Sequence, residues 1–308
     1  MEDEIAEVAN KSLWLYKLGP LYQFHEEPLA QKIATLKSQL CSKLELKDVS
    51  AGSRSQNRKG KTFKGELLDV RIDPLYFKDV TSYDRDVRPL KFTIEIVKYR
   101  DNRQAKHFMF MIPAPRVPEN GQAERGDVLP NNGNEHMAYY PLVFIKGSLT
   151  IRLEIEQWFE KKYFTYCRRM LIPPNTMIEM VDIWIDSLLD LPSEEDESYH
   201  ELPKEITAVP LRLEYKTGDK SVSDIDITVS QRDALAVCKA INKKYFWDAF
   251  EKHVYTTTGI RTSSLIFERI TNSLATIRRD GTIKVSREHR LEAVHHHETY
   301  SSDTIFNR

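Results

Sequence analysis

"LKFTIEIVKYRDNRQAKHFMFMIPA", residues 90–114, holds two extended segments and the turn between them. In the first, Phe92, Ile94 and Ile96 fall on one face and alternate with Lys91, Thr93 and Glu95. That two-residue period is the mark of a half-buried strand. The polar "RDNR" at 100–103 suits a hairpin turn, after which "KHFMFMIPA" runs back as a partner strand. A hairpin is an antiparallel unit, so the chain reads toward antiparallel sheet and away from a regular βαβ alternation.

Working outward, "FKGELLDVRI" (63–72) and "AYYPLVFI" (138–145) are two further strand-like segments. Between the hairpin and the latter, residues 113–136 carry four prolines and three glycines and read as a long surface loop. Upstream, Leu29, Ile33, Leu36, Leu40 and Leu44 recur at helical spacing and predict an amphipathic helix over 26–46. Before it, "SLWLYKLGPLYQF" (12–24) reads as strand and turn around Gly19-Pro20. Alternation puts Leu13, Leu15 and Lys17 on one face and Trp14, Tyr16 and Leu18 on the other. With both faces largely apolar, that strand is expected to be buried on both sides.

Downstream, "LTIRLEIEQWFEKKYFTYCRRML" (149–171) reads as a helix ended by Pro173-Pro174, and "NTMIEMVDIWIDSLLDL" (175–191) as another with Asn175 as its cap. The acidic, proline-bounded "PSEEDESYHELPKE" predicts a linker and domain boundary at 192–205. An N-terminal part over 1–191 and a C-terminal part over 206–308 follow. The latter holds strands in "ITAVPLRLEYK" and "SVSDIDITVS", one or two helices over 231–255, then "RTSSLIFERIT" and "SLATIRRDGTIKVS". Asp280-Gly281 predicts a type I′ hairpin turn within the last. The fold class expected is α+β, with mainly antiparallel β-sheets and packed helices.

Composition bounds the class. The 308 residues are 41% hydrophobic and 30% charged with a net charge of −1, a globular composition that is not a polycation. No apolar run approaches the roughly 20 residues of a membrane span, so no membrane contact is expected. The acidic start "MEDEIAEVANK" lacks signal-peptide features, and Cys41, Cys167 and Cys238 are widely spaced and odd in number. Both point to a reducing, intracellular setting.

Motifs for chemistry are mostly absent. "SQNRKGKT" (55–62) ends like a phosphate loop, but Ser55 stands where that motif needs glycine, and a strand-like stretch follows instead of a helix. Asp224 and Asp226 in "SDIDIT" would share a strand face and could hold a divalent ion, yet Ile225 and Ile227 opposite them give the ordinary pattern of a half-exposed strand. The "HHH" at 295–297 has no cysteine nearby and reads as a solvated patch. Cys167 beside Arg168 and Arg169 invites a lowered thiol pKa, but no catalytic partner is placed by sequence, and it reads as structural. No catalytic residue, metal site or cofactor is assigned.

Basic clusters remain: Arg54, Arg58, Lys59, Lys61 and Lys64; Lys161 and Lys162; Arg168 and Arg169; Lys243 and Lys244; Arg278 and Arg279. Lysine and arginine bind phosphates through charge and counterion release, with no motif required. The 54–64 cluster carries no acidic residue, which makes it the most specific candidate for nucleic acid or an acidic partner.

Three stretches together resemble the centromere protein L family. They are Leu13-Trp14, Leu15-Tyr16-Lys17, Pro20-Leu21 and Phe24 near the start; Trp158, Phe159, Tyr163 and Phe164 in the middle; and Asp280, Gly281, Ile283, Lys284 and Val285 after a strand with an arginine. The resemblance spans residues 12–285 and implies curved antiparallel sheets. It implies a non-catalytic subunit of the constitutive inner kinetochore, located at the centromere in the nucleus and acting in chromosome segregation. The implied partner is a centromere protein N-type subunit, joined through β-sheet contacts as a heterodimer, with other inner-kinetochore subunits and the centromeric nucleosome or DNA around it. Self-association in the partner's absence is a further outcome it leaves open. On this reading Thr282, Ile283, Lys284 and Val285 are the candidate partner strand, and the basic clusters are candidate DNA contacts. The family's apolar C-terminus is not matched by the polar "EHRLEAVHHHETY" at 288–300, so that interface is not carried onto the tail. The alternatives from the residues themselves are a metal-dependent nucleotide or nucleotide-sugar enzyme using Asp224 and Asp226, and a stand-alone DNA-binding protein.

Overall fold

A computed structural model describes residues 8–44, 46–48, 65–75, 88–98, 103–113, 136–189, 210–218, 224–240, 246–273 and 275–286. By packing, the chain divides into two units: Leu13–Met170, and the described residues of Glu2–Ser12 and Leu171–Ile305. The acidic segment 192–205, expected as the boundary, lies outside the described residues. The helix over 175–191, grouped by sequence with the N-terminal part, packs in the second unit.

The first unit runs β1 (Ser12–Leu18), β2 (Leu21–Tyr22), α1 (Leu29–Leu44), β3 (Leu46–Asp48), β4 (Gly65–Pro74), β5 (Leu90–Lys98) and β6 (Gln104–Ile112). It continues with β7 (Met137–Ala138), β8 (Leu142–Lys146), α2 (Leu149–Tyr163) and β9 (Cys167–Arg169). The β5–β6 hairpin is antiparallel, from Leu90 opposite Met111 to Val97 opposite Gln104, and the Lys98 N–H donates to the Arg103 carbonyl beside the turn. Antiparallel pairing extends it on both sides in the order β4-β5-β6-β8-β1, while the short β3 joins β4 in parallel. Asp69 and Glu95 face each other across β4 and β5, an unfavourable pairing relieved by Arg71, which bridges both carboxylates at 3.0 Å.

Phe92, Ile94 and Ile96 are fully buried, as their alternation requires, in a core with Leu36, Leu40 and Leu44 of α1 and Ile151, Ile155, Trp158 and Phe159 of α2. β1 has the two-sided burial expected: Leu13, Leu15, Tyr16 and Leu18 are all buried, and only Lys17 and Ser12 are exposed. It pairs with β8 along one edge and with β9 along the other.

β9 departs from the sequence reading, which ran the helix on to 171. Phe164 ends α2 in the left-handed region, at φ 52° and ψ 37°, and the chain turns extended. Gly19 then meets this segment so closely that a Cβ there would stand 2.4 Å from Thr165 Oγ1 and 2.8 Å from the Tyr166 ring. The Gly19 N–H donates to the Tyr166 carbonyl. Glycine is required here for close approach, beyond any role in the turn. Pro141 likewise splits the strand expected over 138–145 into β7 and β8.

The second unit holds α3 (Pro174–Leu189), β10 (Leu211–Lys216), β11 (Asp224–Val229), α4 (Gln231–Ala240), α5 (Phe246–Thr258), a 3₁₀ turn (Thr262–Ser264), β12 (Ile266–Thr271), β13 (Ala275–Arg278) and β14 (Thr282–Val285). The stretch over 231–255 is therefore two helices. The strands pair antiparallel in the order β11-β10-β12-β13-β14. Met177, Val181 and Trp184 of α3, Leu211 and Leu213 of β10, and Phe246 of α5 are buried in its core. The β13–β14 hairpin forms as expected, but its turn differs. Among the described non-glycine residues only Asn10, Gln23 and Phe164 have positive φ, so Asp280 does not, and type I′ is excluded. Arg279, Asp280 and Gly281 form a three-residue loop with Gly281 at φ 80° and its N–H on the Arg278 carbonyl. The fold is α+β, dominated by antiparallel sheet. Among the described residues no helix is long and apolar enough to cross a membrane.

Burial sets a pH response. His107 on β6 is 7% exposed, and burial, then Lys146 and Lys98, lower its pKa from 6.5 to about 4. The folded state thus resists a proton that the unfolded chain accepts. Stability is full above pH 6.5 and falls as pH drops toward about 4, by at most roughly 3 kcal/mol. Urea titrations across this window will show the slope, and His107→Gln will flatten it.

Candidate interaction surfaces

The cations singled out by sequence occupy very different environments. Lys162, at the last turn of α2, turns inward. Its ammonium donates to Glu27 Oε1 and, at 2.7 Å, to Thr35 Oγ1. Tyr163 donates its hydroxyl to Glu27 Oε2 at 2.8 Å, and Trp158 Nε1 donates to Thr35 Oγ1 at 3.2 Å. Burial and the Glu27 carboxylate both push the Tyr163 hydroxyl pKa upward. This network ties α2 to α1 and the segment before it, and it uses Lys162 for packing. Lys161, one residue earlier, is exposed and donates to Gln157.

Arg168 and Arg169 on β9 diverge. Arg168 points outward with its side chain 73% exposed and pairs with Glu160 at 3.4 Å. Arg169 lies over the Trp14 ring at 4.0 Å from its centroid, while Arg152 lies over the same ring at 3.9 Å. Two guanidinium groups at that distance cannot share one face, so the indole lies between them. Arg152 also donates to the Tyr16 hydroxyl at 3.3 Å. Burial, with Glu156 nearby, pushes that hydroxyl pKa up to about 12. Arg152 carried no sequence signal, because its helix gives no hint that it faces Trp14. Cys167, just before Arg168 and Arg169, is buried, and desolvation with Glu156 and Glu160 pushes its thiol pKa up, opposite to what two adjacent arginines suggest. The thiol is held unreactive.

In the second unit Arg278 shares Glu268 with Lys216, at 3.5 and 3.2 Å. Arg278 stands directly opposite Arg269, whose own partner is Glu214. Arg212 pairs with Asp226, and this arginine holds the Asp226 carboxyl below its usual range. Charge alternates along β10 as Arg212, Glu214 and Lys216, while across the strands Asp226 stands opposite Glu214, and each of these carboxylates is held by an arginine, Arg212 and Arg269 respectively. Among the described residues no cluster of three or more His, Cys, Asp or Glu is placed to hold a metal. Arg279 contributes backbone bonds, its N–H to the Glu268 carbonyl and its carbonyl to the Ile172 N–H. Arg54, Arg58, Lys59, Lys61, Lys64, Lys243, Lys244 and the histidines at 295–297 lie outside the described residues.

The candidate partner strand, Thr282–Val285, is β14. It pairs with β13 from Ile283 opposite Ile277 to Val285 opposite Ala275, and the Val285 carbonyl also accepts the Asn10 N–H. At the other end of this sheet, β11 pairs with β10 alone among the described strands. Ile225, Ile227 and Val229 of β11 are only half-buried. They line an apolar cavity of about 850 Å³ whose far wall is Ala236 and Val237 of α4 and Ala249 and Phe250 of α5.

Comparison with known families matches residues 7–305 to centromere protein L. The chain belongs to the centromere protein L family. A protein of Schizosaccharomyces pombe (strain 972) described as inner kinetochore subunit fta1 is 20% identical over 179 residues. That match takes in 58% of this chain and 57% of the relative's length. The family's aromatic markers have structural places here: Trp14 between two arginines, Tyr16 and Phe24 in the core, and Trp158 against Phe92 at 6.2 Å between centroids.

The Lys162 network gives a test. Lys162→Met leaves Glu27 as a nearly buried carboxylate without its cation and is expected to destabilise the chain by about 3 kcal/mol. The double variant with Glu27→Gln is expected to recover part of the loss. Thermal unfolding of the three proteins measures both.

Proposed function

We propose that this member of the centromere protein L family is a non-catalytic structural subunit of the inner kinetochore, working at the centromere in chromosome segregation. The observation that carries the reading is the family match over residues 7–305, joined by the relative described as an inner kinetochore subunit. We propose further that it pairs with a centromere protein N-type subunit as a heterodimer through the sheet of the second unit. An incoming strand can satisfy alternate backbone groups along an open edge while its side chains fill neighbouring pockets. β11, paired with β10 alone among the described strands and carrying half-buried isoleucines, offers such an edge. β14, carrying Thr282–Val285, is the other candidate, and its Val285 carbonyl is already occupied by Asn10.

DNA contact is proposed for the cluster Arg54, Arg58, Lys59, Lys61 and Lys64, where five cations fall in eleven residues. Each phosphate contact contributes about 0.9 to the slope of log affinity against log salt. The alternative enzyme reading finds Asp226 already paired with Arg212, which argues against a metal role for that carboxylate.

Co-expression with the centromere protein N-type subunit of the same organism, followed by size exclusion, tests the pairing. One heterodimeric peak is expected, and Ile227→Asp is expected to abolish it while leaving the isolated chain folded. Failure of the unaltered pair to associate would overturn the pairing. For DNA, substituting Arg58, Lys59 and Lys61 with alanine is expected to lower the salt slope of the paired complex by roughly 2–3. An unchanged slope removes that cluster from the interface.

A further inference from the structure

We propose that the outward side of Phe164–Arg168 is a docking strip for an extended acidic segment of another protein that carries an aromatic or aliphatic anchor. This goes beyond the pairing proposed above and rests on a different unit of the molecule.

Burial alternates along the strip. Thr165 and Cys167 point inward and are buried, whereas Phe164 is 89% exposed, Tyr166 46%, and the Arg168 side chain 73%. Phe164 is the informative residue. It stands at the left-handed end of α2, where folding favours glycine or asparagine and a large side chain adds strain. It makes little contact in return for that strain. A bulky ring held outward at such a position has no packing explanation. Tyr166 is fixed by its neighbours, since its carbonyl accepts the Gly19 N–H and its ring lies against Gly19. The rings are therefore presented on a stiff backbone, and little ordering entropy is lost on binding.

Charge defines the occupant. Lys17, directly opposite Arg168 across β1 and β9, is exposed, as is Lys161 on the preceding turn of α2. Glu160 offsets part of Arg168, at 3.4 Å. The remaining positive charge calls for carboxylates, and the two rings call for an apolar anchor between them. Tyrosine, phenylalanine and arginine are residue types enriched at protein interfaces, and tyrosine and arginine at their hot spots. β9 pairs with β1 alone among the described strands, so its backbone can also meet an extended segment. Duplex DNA makes no use of exposed rings beside a strand edge, and the few cations here are too sparse for a phosphate track.

Short random peptides displayed on phage, selected on the full chain, test this. Enrichment of acidic peptides containing Phe, Tyr, Trp or Leu is expected. The synthetic peptides should bind the full chain and lose about tenfold in affinity with Phe164→Gly and with Arg168→Glu. Glycine suits the left-handed backbone, so Phe164→Gly should keep or raise the melting temperature, which separates loss of binding from loss of fold. Arg168→Glu, at an exposed position, serves as the second variant. Enriched peptides without acidic residues, or affinities unchanged by either substitution, overturn the proposal. So does oligo-dT binding abolished by the same changes, or self-association that depends on Phe164, because each assigns the strip to another occupant.

Discussion

β1 has no face to give to water, and the first unit is arranged around that constraint. A strand with Leu13 and Leu15 on one side and Trp14, Tyr16 and Leu18 on the other must be covered on both faces. It must also be paired along both edges to satisfy its backbone. β8 supplies one edge and β9 the other. Trp14, the largest side chain, is closed off by the flat guanidinium groups of Arg152 and Arg169. Arg169 covers the ring while keeping its charge at the surface, whereas Arg152 is itself buried and donates to the Tyr16 hydroxyl. The close contact of Gly19 with Thr165 and Tyr166 follows from the same need, because β9 reaches β1 only if the chain after α2 returns at this point.

Charge follows a parallel logic. A near-neutral chain that is 30% charged must decide which cations to spend internally. Lys162 anchors Glu27 between the helices, Arg169 covers Trp14, and Arg212, Lys216, Arg269 and Arg278 are interleaved with Asp226, Glu214 and Glu268 across the second sheet. Interleaving is also what allows Arg269 and Arg278 to stand directly opposite each other. Among the described residues, Lys17, Lys161 and Arg168 are exposed near two exposed rings. A pair of adjacent basic residues in the sequence is therefore a poor guide to a binding surface: Lys161 and Lys162, neighbours in sequence, have opposite fates.

Several elements were legible because a short-range period encodes them. The Phe92, Ile94, Ile96 alternation, the leucine stripe of α1 and the Asp280-Gly281 hairpin all appear where local pattern places them. β9 was not legible, although "FTYCRR" does alternate, because it follows a strongly helical stretch without a glycine or proline to mark the end. Phe164 ends the helix in a conformation that sequence statistics disfavour. The turn type at 279–281 was missed for a related reason: a dipeptide suggests a hairpin, while loop length is set by the register of the two strands it joins.

The sequence by itself determined the α+β class, the antiparallel hairpins, the two-sided burial of β1 and, through three spaced blocks of residues, the family. All of these rest on local periodicity or on residue identity along the chain. Only the tertiary structure decided which cations are spent on carboxylates, that the thiol of Cys167 is held unreactive, that α3 packs in the second unit, and that β11, paired with β10 alone among the described strands, lines an apolar cavity. Those properties depend on residues distant in sequence meeting in space. Burial, charge pairing and strand order are set by such meetings, and no local pattern contains them.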